Sequence, residues 1–300
     1  MAARATPFVT GRATIVRAAS KFIKIITMLF MFKSDKLWHM TTVRDELQFL
    51  SRSPNRFEAL MVIHNSRAVD SYRLEEELGV SRRTVSRLLD DLEERMYIHE
   101  QSEGWQLTTF GMHVLETYNW FDDTLSLTIE FRPLLARLDT SEVRLTVDHL
   151  RGATLTVATE FSPYAALDRV TELRRQAKRI RLVSPRVEKR SIDQLIERVR
   201  QNDVIEFDVV LPAHSLETLS QPAFENGLTT LTESERVSAR IYPGPLPCFF
   251  GVMGEISAIG VSENNKPHAL VESKSRDFRA LVGEKIDSFW CESERLSHYR

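Results

Sequence analysis

The sequence predicts a small α+β domain followed by a larger α/β domain layered about a sheet. Three observations predict it. Two short helical patterns joined by a glycine turn, Ser71 to Arg95, are followed at once by a short hairpin pattern. After residue 140, β-rich apolar runs alternate with amphipathic helical patterns and end in a meander. The length of 300 residues suits about two domains.

Composition sets the outer bounds. The apolar share of 42% and charged share of 27% are those of an ordinary globular chain, with no bias toward a fibrous or membrane class. The two cysteines, Cys248 and Cys291, exclude a disulfide framework and a Cys-rich zinc module. They fit a reduced setting, and a cytoplasmic location is expected. A net charge of −2 does not advertise nucleic acid, so any DNA site must be a local patch. The charge is uneven. Residues 1–40 hold seven basic residues against Asp35, a net +6, which leaves −8 on the other 260. Past residue 40 only Lys178, Lys189, Lys266, Lys274 and Lys285 are lysines; the other cations are arginines. A high-salt cytoplasm and a GC-rich genome are both consistent with that.

Residues 1–39 form a leader with three readings. Phe22 to Phe32, FIKIITMLFMF, is too short to span a bilayer. A basic start before an apolar core is signal-like, yet no Ala-x-Ala-like site follows. An amphipathic docking tail is the second reading. The third is favoured: Met40 is the natural start, and the leader is an artefact of start choice or disordered. No membrane partner is expected.

Residues 40–110 form the first domain. Val43, Leu47 and Leu50 mark one short helix. Pro54, after Ser53, sits near the first position of a second, whose Phe57, Leu60, Met61 and Ile63 face a core. In the third, Leu74 and Leu78 lie one turn apart, and Gly79 takes the positive φ that ends a helix. Ser81 then caps a fourth. There Val85, Leu88, Leu89 and Leu92 fall at i, i+3, i+4 and i+7, one apolar stripe. Arg82, Arg83, Ser86 and Arg87 lie opposite, with Thr84 near the start. Tyr97 to Glu100 and Trp105 to Leu107 follow as strands, with Glu103-Gly104 turning between them. This is the order of a winged helix-turn-helix whose last helix reads DNA. The alternative is an ordinary amphipathic pair with a solvated charged face. The DNA-contacting set is Ser81, Arg82, Arg83, Thr84, Ser86 and Arg87. Arginine pairs bidentately with guanine, and Ser or Thr tolerates several bases or phosphate. The wing carries Glu100 and Glu103 and no cation at its tip, so strong phosphate gripping there is not expected. Trp105 is read as packing and His99 as a surface residue.

LEEELGVSRRTVSRLLDDLEERMYI, a wing, and then TTFG resemble archaeal winged-helix transcriptional regulators of the ArsR/MarR-like type, over about Met40 to Tyr118. The resemblance implies that Gly111 helps to start the next helix. Residues 111–139 are a connector, helical up to about Pro133 and rich in large apolar residues such as Leu115, Trp120, Phe121, Leu125 and Ile129. They either pack on their own domains or form a homodimer interface, which the resemblance favours.

Residues 140–300 are the second domain. Strands are expected around Leu145, at Thr154 to Ala158, Arg179 to Pro185 and Val204 to Pro212, then in VSARIY, FFGVMG, SAIGVS and HALVES. Helices are expected at Pro163 to Lys178, with Leu167, Val170, Leu173 and Ala177 on one face, at Ser191 to Gln201, partly over Leu216 to Leu231, and at Asp277 to Ser297. RIRLVSP, SAIGVSENNKPHALVES and FRALVGEKIDSFWCESERL resemble the C-terminal domain of archaeal regulators related to the methanogenesis and filamentation regulator. The layout also resembles the phospholipase-D-like fold that serves as a sensor in some archaeal sugar regulators. The resemblance implies effector sensing and leaves the ligand open.

Enzymatic readings find little support. Phospholipase-D chemistry needs His-x-Lys, but His149, His214 and His268 are followed two positions on by Arg151, Leu216 and Leu270. No HExxH, phosphate loop or Gly-x-Ser-x-Gly occurs. Cys248 reads as core, with a redox or metal role as its alternative. No cofactor or metal is expected. Candidate ligand-binding residues sit after strands: Ser184, Arg186, His214 and Tyr242. The fold class is thus an α+β winged helix-turn-helix domain followed by an α/β layered, sensor-like domain. The function expected is sequence-specific regulation of transcription on double-stranded DNA, with a small-molecule or protein effector favouring one spacing of paired reading helices. The alternative is a non-enzymatic interaction or small-molecule-binding module that uses the winged helix as a protein contact.

Overall fold

The computed structural model describes residues 42–141, 143–204, 206–264 and 266–299. The expected leader, 1–39, lies outside the described residues. The protein is α+β, with a helical N-terminal region and a large mixed sheet. It divides into two compact units at Trp120/Phe121, within one helix.

The first unit runs α1 (Val43–Ser51), α2 (Pro54–Ser66), α3 (Ser71–Leu78), α4 (Arg82–Glu94), β1 (Ile98–Gln101), β2 (Gly104–Leu107) and the start of α5 (Thr109–Glu130). A reciprocal box opens α1: the Asp45 amide donates to the Thr42 hydroxyl, and the Asp45 carboxylate accepts from the Thr42 amide. The Thr42 hydroxyl also donates to that carboxylate at 2.7 Å, and this bond, with the one from the Thr42 amide, lowers the Asp45 pKa. The buried side chains of α1 are Phe49 and Leu50; Val43 and Leu47 face solvent. Phe49 is set between the guanidiniums of Arg56 and Arg95, whose Cζ atoms lie 3.9 and 4.0 Å from its ring centre. Pro54 begins α2, and Asp70 caps α3 by accepting from the Arg73 amide. The core joins Leu60, Ile63, Leu74, Val85, Leu89, Leu92, Tyr97, Ile98 and Leu115.

The hairpin differs from expectation in two ways. Gln101 pairs with Gly104, so the turn is Ser102-Glu103 and Gly104 opens β2. A third strand position exists: Val69 bridges Trp105, each amide donating to the other's carbonyl at 3.1 and 2.8 Å. The Val69 carbonyl lies 2.6 Å from where a Gly104 Cβ would be, and φ there is +116°, so only glycine fits.

The second unit contains the rest of α5, α6 (Arg132–Leu135), α7 (Val147–Leu150), β3 (Thr154–Val157), α8 (Ala165–Gln176), β4 (Arg179–Val183), α9 (Lys189–Arg200), β5 (Glu206–Pro212), α10 (Ser215–Leu219), α11 (Glu225–Glu233), β6 (Val237–Tyr242), β7 (Phe249–Met253), β8 (Ile256–Glu263), β9 (Lys266–Ser273), α12 (Arg276–Cys291) and β10 (Glu294–Arg295). The sheet order is β10-β6-β5-β4-β7-β8-β9-β3. β4, β5 and β6 are parallel to one another, and the remaining pairs are antiparallel. Alternate strand residues enter two apolar clusters. Leu182, Val209, Leu211, Ala239 and Leu270 join α8, α9 and α11 in one. Val183, Val210, Phe250, Ile259 and Val271 join α12 in the other.

Two expected elements are corrected here. Leu145 is not in a strand: Thr146 instead begins α7, its hydroxyl 2.7 Å from His149 Nδ1. The last helix stops at Cys291 rather than Ser297, because Glu294 and Arg295 pair with β6. The connector is broken at Phe131, with Pro133 in the first turn of α6. No described helix is long and apolar enough to cross a membrane.

Candidate nucleic-acid interface and ligand cavity

The glycine turn builds the first site. Gly79 closes α3 with φ +63°, and Ser81 begins α4 by accepting from the Thr84 amide. Val85, Leu88, Leu89 and Leu92 are buried. Ser81, Arg82, Arg83, Thr84, Ser86 and Arg87 are all exposed, so the six expected contact residues share the open side of one helix start. Two of them are already engaged: the Ser81 and Thr84 hydroxyls lie 3.0 Å apart in the cap. Arg82, Arg83 and Arg87 pair with no carboxylate among the described residues.

The charge order of α4 is the reverse of what stabilises a helix. Its first turn holds two arginines and no acid, and Asp90, Asp91, Glu93 and Glu94 follow toward its C-terminus. The helix dipole favours acids at the start and bases at the end, each by about 0.3–1 kcal/mol. At the wing, Glu100 and Glu103 are exposed. Trp105 is half-buried against the core, and His99 Nε2 lies 2.8 Å from the Gln101 amide nitrogen.

Gly111 lies in the first turn of α5, and its lack of a side chain is required there. A Cβ there would lie 1.9 Å from the Tyr97 carbonyl oxygen. The start of α5 is capped by Thr108, whose hydroxyl accepts from the Gly111 amide at 2.8 Å. The glycine thus lets α5 seat directly on the backbone that leads into β1.

Further along α5, Phe121, Leu125 and Ile129 are exposed at i, i+4 and i+8.

The second site is a cleft of about 70 Å³ in the second unit. Ala166, Leu167, Val170 and Arg174 of α8, Ser184, Pro185 and Arg186 after β4, and residues of β7, β8 and β9 line it. The β8–β9 register shifts at Val261/Ser262, and both residues line the cleft. Ser184 donates to the Arg186 carbonyl, and Arg186 reaches Ser262 Oγ at 3.3 Å. So two of the four expected ligand residues meet here. The other two do not. His214 is exposed at the start of α10. Tyr242 packs edge-on to Phe289 in the other cluster, ring centres 5.1 Å apart.

Sequence reasoning missed Arg174 and Ser191 in this cleft. Arg174 is 7% exposed, and one of its terminal nitrogens donates to Ser191 Oγ at 2.8 Å. Its Nε–H is buried with no acceptor, and no carboxylate pairs with it among the described residues. Burial, with the nearby Arg190 and Arg198 charges, pulls it down to about 10. A signal existed: Arg174 falls four residues after Val170 and seven after Leu167, on the apolar stripe itself. Arg198, also buried, is satisfied by Asp203 and by the carbonyls of Arg174 and Ala177.

Among the described residues no cluster of three metal-ligating side chains occurs. Cys248 is buried in the second cluster, and Cys291 is exposed at the end of α12.

Residues 44–128 match the family model described as the HVO_A0261 N-terminal domain. Residues 163–292 match the model of the methanogenesis regulatory protein FilR1, middle domain. No curated protein matches the chain. Among solved structures, that of TrmBL2, described as an archaeal chromatin protein with a novel mode of DNA binding, is 13% identical over 85% of this chain and 100% of that one, with a TM-score of 0.37. The phospholipase D family member Nuc from Salmonella typhimurium is 13% identical over 48% of this chain and 97% of its own, at 0.37. NucT from Helicobacter pylori is 12% identical over 48% and 98%, at 0.38. Scores this low carry no argument about fold or activity.

Proposed function

We propose that this chain, which carries an HVO_A0261-type N-terminal domain and a FilR1-type middle domain, is a cytoplasmic, sequence-specific DNA-binding regulator of transcription, a homodimer whose second domain senses a ligand. The observation that carries the reading is the reversed charge order of α4. Arg82 and Arg83, in the first turn of an amphipathic helix, oppose the helix dipole, and neither they nor Arg87 pair with a carboxylate among the described residues, so folding alone does not account for them. They suit the acceptor-rich major groove, where the first turns of a reading helix approach base edges.

Arg83 and Arg87 are the base readers in this scheme, with Ser86 beside them. Arg82 is the phosphate contact next to the helix start. Ser81 and Thr84 hold the turn. The acidic wing lies away from phosphate or meets it only through water. The Phe121, Leu125 and Ile129 stripe supports pairing of two copies, which a two-half-site operator requires. The regulator is not an enzyme in this reading: His149, His214 and His268 are scattered, and none has a lysine two residues on.

The test is genome-wide DNA occupancy of the tagged protein in its own cells, beside the Arg82→Ala/Arg87→Ala double variant. Discrete peaks that the variant loses are expected. The exposed Glu100 and Glu103 favour a second reading, in which the winged helix contacts a protein. Peaks retained by the variant, or an absence of peaks in both, would favour that one.

A further inference from the structure

The cleft beside α8 holds a buried cation whose polar atoms are only partly satisfied. Arg174 is almost fully buried, lacks a carboxylate partner among the described residues, and leaves its Nε–H without an acceptor. Buried arginines are ordinarily paired. Arg198, one helix away, shows the ordinary solution, with every nitrogen bonded to a carboxylate or carbonyl. Arg174 has only hydroxyls, that of Ser191 and, more distantly at 3.5 Å, that of Thr171. Arg190 and Arg198 add positive charge nearby. The one carboxylate of the cleft, Glu188, forms no ion pair with Arg174.

The rest of the lining is the complement of an amphiphile. Leu167, Val170, Phe249, Val261 and Leu270 are apolar, and Ser184, Ser191 and Ser262 offer hydroxyls. The cleft's volume of about 70 Å³ is several times the roughly 10–15 Å³ that one water needs. Apolar walls with a few convergent polar groups are the usual make-up of a small-molecule site.

We propose that this cleft binds a small organic anion, a carboxylate or phosphate head on a short apolar body, and that Arg174 is the buried cation that receives the head. The inference rests on the reading of the second domain as a sensor, and it names the chemical class sensed. The guanidinium then gains the counter-charge that the fold withholds. The Ser191 and Ser262 hydroxyls, which accept from Arg174 and Arg186 and so keep their own hydrogens, donate to the head group, and the aliphatic residues take the body.

The experiment titrates the full-length protein with hexanoate, hexyl phosphate and hexanol by calorimetry, in a buffer low in competing anions. Arg174→Met and Leu167→Trp variants are run alongside; the second narrows the cleft and leaves the arginine in place. Binding of one or both anions is expected, and which of them binds assigns the head group. Hexanol should bind at least about tenfold more weakly, and each variant should lose about tenfold or more, the scale of one charge-assisted hydrogen bond. Equal binding of hexanol, no binding of either anion, or full retention of binding by Leu167→Trp would overturn the proposal; if Arg174→Met misfolds, Leu167→Trp still decides. DNA affinity is read in the same samples. Anion binding that leaves DNA affinity unchanged supports the site and counts only against the sensing reading. Loss of DNA affinity in the Arg82→Ala/Arg87→Ala variant with anion binding intact separates the two domains' roles.

Discussion

Replacing Arg174 by methionine is expected to stabilise the ligand-free protein. A guanidinium drawn down from its ordinary value to about 10 by burial carries a cost of about 3 kcal/mol as a cation, at 1.36 kcal/mol per tenfold. Between about 10 and the ordinary value the unfolded chain keeps a proton that the folded chain has released, so stability rises with pH there. Below about 10 both states hold the proton, and the whole cost stands at neutral pH. Methionine fills a similar volume without charge. The change forfeits the hydrogen bond to Ser191, worth about 1.5–3 kcal/mol for a charged donor. The net gain is about 0–1.5 kcal/mol, or a rise in Tm of up to roughly 6 °C for a unit of this size. The assay is thermal unfolding at pH 7 in a buffer without carboxylates or phosphate, with urea midpoints as a second measure. A Tm that falls would refute the reasoning, since the arginine would then be a net structural strut rather than an unsatisfied charge. Even partnered buried charges are often replaced by well-packed apolar residues of similar volume with no loss of stability, or with a gain of about 1–4 kcal/mol, and Arg174 has no carboxylate partner among the described residues.

Four further outcomes are expected. Arg83→Ala weakens operator binding by about 1–3 kcal/mol, the range for one good base contact, measured by fluorescence anisotropy; unchanged affinity removes Arg83 as a base reader. Arg82→Glu stabilises the first unit by about 0.3–1 kcal/mol through the helix dipole while DNA binding falls, so stability and binding move in opposite directions; loss of both would contradict the dipole argument. Gly111→Ala destabilises by about 3 kcal/mol or more, because a Cβ 1.9 Å from a backbone oxygen forces the helix start away from Tyr97; urea unfolding followed by tryptophan fluorescence tests it. Arg169→Ala leaves the buried Glu272 carboxylate without its two hydrogen bonds of 2.7 and 2.6 Å; since Arg169 is itself about a third exposed, a loss near 3 kcal/mol, the low end for a broken buried pair, is expected.

The parts of this fold that were legible in the sequence are those written in local chemistry. The stripe of α4 repeats at the helical period, and Gly79 and Ser81 announce the turn by what their backbone and hydroxyl do best. Features made by distant residues were not legible. The bridge from Val69 to Trp105 is a single residue pair, which has no periodicity to detect. The need for Gly111 comes from a carbonyl fourteen residues earlier, and nothing in TTFG reveals it. Leu145 looked like a strand because β-branched neighbours surround it, but Thr146 and His149 close a helical turn instead. His214 and Tyr242 sit after strands as expected, yet one is a solvent-facing helix start and the other serves the opposite cluster. Position after a strand is therefore too weak a rule to assemble a pocket.

Arg174 is the instructive case, since its signal was present as a conflict rather than as a pattern. A cation on the apolar stripe of α8 contradicts the rule that built the helix, as two arginines at the start of α4 contradict the dipole. Local choices in a folded chain generally agree with the global structure, and departures concentrate where function requires them. Both departures here place unpaired positive charge where folding alone would remove it. One lies on an exposed helix face, and the other lines a largely apolar cleft. Under the two proposals the difference in surroundings separates the partners: a polyanion large enough to lie across an open helix for the first, and a small anion with an apolar body for the second.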